Sequence, residues 1–380
     1  MISPTPLSLC CTLLLCLPLA FVFTSTTTTT TTIITTNNSP PSPQPPILTL
    51  PQDDESLFRL ASRVNSHPSP STSPKRIAFM FLTTTTLPFA PLWELFFHPN
   101  QTTTQQQQQQ PFKHLFNIYI HTDPNSSYNP VPPPIFSKSF FNRVIHSKPT
   151  QRFTPTLISA ARRLLAHALL HDSTNSMFAL LSPTCIPLHS FNFTYSTLIQ
   201  SKKSFIEILN NEPGAYDRWL ARGPPDVMLP DVPFRNFRVG SQFFILTRRH
   251  AKLVVKDRKL WMKFKLPCIR NDVCYPEEHY FPTLFNTRDP HGCVPATLTH
   301  VDWNGRSDGH PRTYQVSEVG PELIFKFRQD IPRYGDDRCG SNGSDSKVHT
   351  KKYPFLFARK FSPDCLEPLM SIANDVIFKE

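Results

Sequence analysis

A chain of 380 residues, with 39 Lys and Arg against 28 Asp and Glu, carries a formal net charge of +11 and has room for one large or two ordinary domains. Such a surplus suits nucleic acid, a membrane surface or an anionic small molecule. The basic residues are dispersed, with no helix-turn-helix pattern, zinc-finger spacing or RNA-binding signature, so nucleic acid is set aside and an anionic nucleotide-sugar fits. Glycine numbers only ten and first appears at Gly214. A glycine-rich phosphate loop after an early strand is therefore impossible in the N-terminal half.

Leu7 to Phe23 runs without a charge, long for a signal-peptide core and at the short end for a membrane span. No Lys or Arg precedes Arg59, so flanking charge sets no orientation. Thr24 to Pro74 is a Thr run followed by Pro/Ser segments, a composition that buries no core and predicts a disordered, extended stem. Gln105 to Gln110 predicts an exposed low-complexity loop. Sequons at Asn37, Asn100, Asn125, Asn192 and Asn342 fit a secretory route. Six cysteines beyond the apolar segment, Cys185, Cys268, Cys274, Cys293, Cys339 and Cys365, suit disulfides in an oxidising lumen, with the pairing open.

The body opens at Arg76–Thr83, a continuous apolar run suited to a strand buried on both faces. A helix over Leu87–Phe97 and a strand over Leu115–His121 follow, the latter ending at Asp123, where open α/β sheets bind ligands. An Asp-Pro turn with no ligand role explains the same residues. Arg143–His146 predicts a short strand. Thr154-Pro155 opens a helix to His171, with Leu157, Ala161, Leu164, Leu165 and Ala168 on its apolar face and Arg162 and Arg163 on its solvated side. Further strands are expected at Met177–Ser182, Ser204–Leu209 and Gln242–Thr247, and Phe355–Phe361 closes the body. The elements alternate as in an α/β fold.

The densest stretch for chemistry is Cys268 to Thr283, CIRNDVCYPEEHYFPT, with two cysteines, the pair Glu277 and Glu278, and an aromatic run. A carboxylate fixed in such surroundings suits a general base. Equally, Pro276 suits the first position of a helix, and glutamates in a first turn complement its dipole with no chemistry.

Cys274–Thr283 resembles the acidic motif of the Core-2/I-branching β-1,6-N-acetylglucosaminyltransferase family, most closely its plant branch. Ile-His-Thr-Asp ending at Asp123, Ser182–Leu188, Gly240–Phe244 with Arg248-Arg249, Trp303 and Lys360 fall in the family's order, so the resemblance spans Arg76 to Leu369. It implies a GT-A-type glycosyltransferase fold, a mixed sheet flanked by helices, behind an N-terminal membrane anchor and stem. The implied division is a signal-anchor at 1–23, a stem at 24–74 and a lumenal domain at 75–380, in a type II protein of the Golgi membrane. By the same resemblance Glu278 is the catalytic base, Asp123 contacts the nucleotide, Lys360 and then Arg359 meet the diphosphate, and Trp303 holds the acceptor sugar. Glu277 departs from the Asp usual before the base. A further family arginine between the tryptophan and the lysine has no clear match in Asp308–Tyr353. No Asp-x-Asp occurs in the sequence, and the family is metal-independent, so no metal or other cofactor is expected. The expected partners are a UDP-sugar donor, a glycan or glycoprotein acceptor and the Golgi membrane. The alternative from another class is a catalytically inactive glycan-binding or scaffold protein on the same fold.

Overall fold

The computed structural model describes residues 50–68, 73–99, 112–125, 138–305, 310–336 and 352–380. The expected anchor, the Thr tract and the glutamine-rich insert lie outside them. Among the described residues no helix is long and apolar enough to cross a membrane.

The compact unit begins at Leu50, inside the expected stem, which is corrected there. Asp54–Ala61 forms helix α1, capped by Asp53, whose carboxylate accepts from the Ser56 amide at 2.8 Å. Leu57, Phe58 and Ala61 share one face at helical spacing and are buried. The Thr/Pro/Ser composition upstream has no such face, and averaging over the whole stretch hid it. Two arginines hold α1 in place, and this overturns the expectation that they are solvated. Arg162 and Arg163 are 2% and 0% exposed. Arg163 donates to Asp54, to the Gln52 carbonyl (3.1 Å) and to the His146 carbonyl (2.7 Å). Arg162 lies between the rings of Phe58 (4.5 Å) and Trp261 (4.8 Å) and donates to the Asp257 carbonyl at 2.8 Å. Aromatic faces and carbonyl acceptors together make burial of a guanidinium tolerable.

The main sheet has six strands: β1 (Arg76–Thr83), β2 (Phe116–Thr122), β3 (Asn175–Leu181), β5 (Ser204–Phe205), β6 (Ile245–Thr247) and β7 (Cys293–Val294). Their order is β2-β1-β3-β6-β5-β7. β1, β2 and β3 are parallel, β6 is antiparallel to β3 and to β5, and β7 is parallel to β5. This is the mixed sheet that the resemblance implied. A small second sheet of β4 (Ile186–Pro187), β9 (Phe357–Ala358) and β8 (Thr299–His300) runs in the order β4-β9-β8.

Side chains of β1 alternate between two cores, as the period of two requires. Ala78, Met80 and Leu82 pack with α3 (Thr156–His171), α6 (Arg248–Lys256) and α8 (Pro276–Arg288). Ile77, Phe79 and Phe81 face α2 (Ala90–Phe97), α4 (Phe191–Gln200) and the second sheet. Shorter helices α5 (Ala215–Trp219) and α7 (Lys259–Phe264), with α9 (Pro321–Gln329) and α10 (Leu366–Ser371), complete the helices used below.

Several expected elements shrink. Arg143–His146 contributes a single bridge, Val144 to Ile120, in place of a strand. Ser204–Leu209, Gln242–Thr247 and Phe355–Phe361 shorten to β5, β6 and β9, with isolated bridges from Leu209 to Val239 and from Phe361 to Tyr314. The helix expected from Leu87 starts at Ala90, because Pro91 is tolerated only in a first turn. Of the cysteines, Cys268 and Cys274 form a disulfide, whereas Cys185, Cys293 and Cys365 are buried thiols. Full pairing is thus not found among the described residues.

Candidate active site

Helix α8 begins at Pro276, whose fixed φ suits its first position, and carries Glu277 and Glu278 in its first turn. The Cys268–Cys274 disulfide closes the loop just before it. Pro282 sits inside the helix and has no N–H for the carbonyl four residues back, that of Glu278. The Gly240 amide takes that place, donating to the Glu278 carbonyl at 2.9 Å. Gly240 can do so because it lacks a side chain. A Cβ there would stand 2.0 Å from the Glu207 carbonyl oxygen. One residue further along, the Thr283 hydroxyl accepts from the Arg238 amide at 3.0 Å. The segment 238–240 therefore holds the turn that presents Glu278.

Glu278 opens into a cleft of about 780 Å³, and Trp303, Arg359 and Lys360 line the same cleft. Four residues singled out in the sequence, spread over more than eighty positions, thus meet at one cavity. Burial pushes the Glu278 carboxyl above its ordinary value, opposed by Arg218, Arg359 and Arg152. Arg218, on α5, places Nη1 3.7 Å from Glu278 Oε2. The half-exposed Trp303 lies in the cavity lining. The Arg359 guanidinium lies 4.4 Å over the Phe243 ring, and burial holds its pKa below the usual arginine value. Lys360 Nζ is 3.5 Å from His310 Nδ1, and Arg152 Nη1 is 2.9 Å from His310 Nε2.

Asp123 stands just behind this rim, one residue beyond β2. Its carboxylate accepts from the Thr150 amide (2.8 Å), the Thr150 hydroxyl (3.1 Å) and the Asn125 amide (2.8 Å). Burial works against the charge, but these donors hold the carboxyl below its usual value. Thr150 and Thr83 line the cleft, and the Thr83 carbonyl accepts from the Asp123 amide. Asp123 thus bonds to two residues of the cavity lining.

The cleft contains groups that the sequence reading missed. Glu207 is pushed up to about 7 by burial, with Arg333 opposing and Glu212 and Glu278 reinforcing the shift. Glu277 also lines the cavity, is 7% exposed, and is raised to about 7 mainly by burial. It is thus more than a helix-dipole partner. Arg152, Arg218 and Arg333 add cationic lining. A glutamate inside the apolar run Phe205–Leu209 was the one local signal for Glu207. The arginines have none, since only the fold brings them together. Within Asp308–Tyr353, Arg333 lines the cleft with its guanidinium 2.8 Å from Glu212, and Arg312 adjoins the lining residue Pro311 while engaged by Glu318. Among the described residues no group of three or more His, Cys, Asp or Glu is arranged to hold a metal ion.

Comparison with known proteins places this cavity in context. The family model described as Core-2/I-Branching enzyme matches residues 77–328. A rice (Oryza sativa subsp. japonica) protein named glycosyltransferase BC10 is 29% identical over 325 residues, 76% of this chain and 74% of its own length. A human (Homo sapiens) protein named probable beta-1,3-galactosyl-O-glycosyl-glycoprotein beta-1,6-N-acetylglucosaminyltransferase 7 is 27% identical over 154 residues, 39% of this chain and 31% of its own.

Proposed function

The chain is a glycosyltransferase that belongs to the Core-2/I-branching enzyme family, and from that premise we propose an inverting, metal-independent transfer from a UDP-sugar to a glycan hydroxyl. The observation that carries the proposal is the meeting of a carboxylate of raised basicity, Glu278, with Arg359 and Lys360 at one cleft. Glu278 takes the proton of the acceptor hydroxyl as that oxygen attacks the anomeric carbon. The bond from that carbon to the diphosphate oxygen breaks, and UDP leaves with the electron pair. Attack from the face opposite the leaving group inverts the centre. Cationic side chains neutralise charge where it develops, which is the larger part of such catalysis. Lys360 and Arg359 have that role, and Asp123 holds the nucleotide through the Thr83 and Thr150 rim. Trp303 offers its ring face to the acceptor sugar. The human relative's name supports N-acetylglucosamine as the donor sugar, and glucuronic acid is the competing choice. The setting we propose is the Golgi membrane, with residues 1–23 as a type II anchor.

Incubating the purified protein with a panel of UDP-sugars and glycan acceptors, in excess EDTA, tests this directly. Transfer from one UDP-sugar under chelation is the expected outcome. Glycan binding without turnover of any donor would favour the inactive-scaffold alternative.

A further inference from the structure

Helix α4 carries two polar residues for which the fold has no use. Phe191, Thr194 and Leu198 recur at helical spacing and form its buried face. Thr194 is 0% exposed, and its hydroxyl has no hydrogen-bond partner. A helical threonine ordinarily offers that hydroxyl to a carbonyl three or four residues back. Here the Ser190 carbonyl takes only the Thr194 amide, at 3.1 Å. A hydroxyl buried without a partner opposes folding, and a valine of the same shape would not. Asn192 is the converse case. It is exposed in the first turn, where asparagine is a poor helix former. Asparagine is favoured at the N-cap, but Ser190 holds that position and its hydroxyl accepts from the Phe193 amide at 3.2 Å. Packing and capping thus account for neither residue. Together with Phe193 between them they form an acceptor triplet for N-linked sugar. In such a triplet the asparagine takes the sugar and the third residue supplies a hydroxyl. Of the five in the chain, this is the one complete triplet among the described residues.

We propose that Asn192 carries an N-linked glycan, and that the buried hydroxyl of Thr194 is there to direct its attachment. The proposal rests on the secretory placement given above. The co-reactant is a lipid-linked oligosaccharide diphosphate, which the secretory membrane supplies with its transferase. Asn192 Nδ2 forms a bond to the anomeric carbon of the first N-acetylglucosamine. The bond from that carbon to the diphosphate oxygen breaks, and the lipid diphosphate leaves with the electron pair. The side-chain amide gives up one proton to a base of the transferase. Thr194 is wholly enclosed in the folded domain, so the transfer precedes the packing of α4. Asn192 stays exposed once the helix is packed, so the glycan projects from the surface without displacing the core.

The full chain, made in leaf tissue and recovered from sealed membranes, provides the test. Treatment with PNGase A in heavy-oxygen water converts a glycosylated asparagine to labelled aspartate, which peptide mass spectrometry locates. The expected result is labelled aspartate at position 192 in most molecules, kept in Thr194→Ser and lost in Thr194→Val. Thr194→Val should melt at or above Asn192→Gln, which equally lacks the glycan but retains the unpartnered hydroxyl. Label that persists in Thr194→Val overturns the proposal. So does a Thr194→Val that melts well below Asn192→Gln, since the hydroxyl would then serve the fold. An unlabelled Asn192 in a chain that the sealed membranes protect from added protease overturns this proposal alone. An unlabelled Asn192 in a chain that the protease digests overturns it together with the secretory placement.

Discussion

Gly240→Ala is the substitution that most sharply tests how Glu278 is held. The added Cβ would stand 2.0 Å from the Glu207 carbonyl oxygen, which is backbone and cannot swing aside. Reaching the closest separation real Cβ atoms adopt requires the two segments to part by about 1 Å. That movement draws the Gly240 amide off the Glu278 carbonyl, now 2.9 Å away. Pro282 cannot supply the missing donor, so the carbonyl loses its partner, at a cost of about 1–3 kcal/mol. Overpacking adds about 1–3 kcal/mol, giving a total of about 2–6 kcal/mol. At roughly 2 °C per kcal/mol for a domain of this size, the melting temperature should fall by about 4–12 °C. Turnover should fall further than stability implies, because a shift of about 1 Å in a reacting group costs on the order of 10²-fold. Circular dichroism melts and transfer assays on the folded variant provide both numbers. Gly320→Ala, where nothing lies within 4 Å of the added Cβ, is the control. If Gly240→Ala melts and turns over like Gly320→Ala, the account of how this turn is built is wrong.

Glu278→Gln should keep the fold and donor binding while lowering turnover by ~10²–10⁴, and Glu277→Gln should cost much less; equal losses in steady-state assays would remove Glu278 from the role of base. Lys360→Ala should lower transfer by ~10²–10³ while the unaltered protein works in excess EDTA, with Lys360→Arg restoring only part; abolition by chelation with Lys360→Ala tolerated would move the diphosphate site elsewhere. Glu277, raised from 4.5 to about 7, makes a contribution to stability that is full below the unfolded-state pKa and lost as pH rises through about 7. Melting temperatures taken between pH 5 and 8 should therefore show a decline that Glu277→Gln flattens, and parallel curves for the two proteins would refute it. Leu57→Ala should destabilise by about 2–5 kcal/mol in denaturant titration if α1 belongs to the core, whereas a stem residue would show no change.

Composition and local pattern determined more of this protein than its low-complexity flanks suggest. The strand Arg76–Thr83 was legible to the residue, because an unbroken apolar run satisfies a strand covered on both faces and little else. The start of α8 was legible from Pro276 and the two glutamates behind it. Glu278, Trp303, Arg359 and Lys360 were named from motifs, and they line one cleft. Asp123 was legible as a strand-end residue, but not its place behind the rim.

Other features were decided only by the tertiary structure. Arg162 and Arg163 read as solvated because a charge beside an apolar face is the ordinary surface pattern. Their burial depends on Phe58, Trp261 and Asp54, distant in the chain. Arg152, Arg218 and Arg333 carry no local signal for the same reason: a cleft is made by residues from separate segments, and charge has no sequence period. Gly240 shows the limit most clearly. Its lack of a side chain matters only because Glu207 passes behind it and Pro282, forty-two positions on, leaves a carbonyl for its amide. Sequence specifies which backbone groups lack a partner, but only the packed chain supplies one.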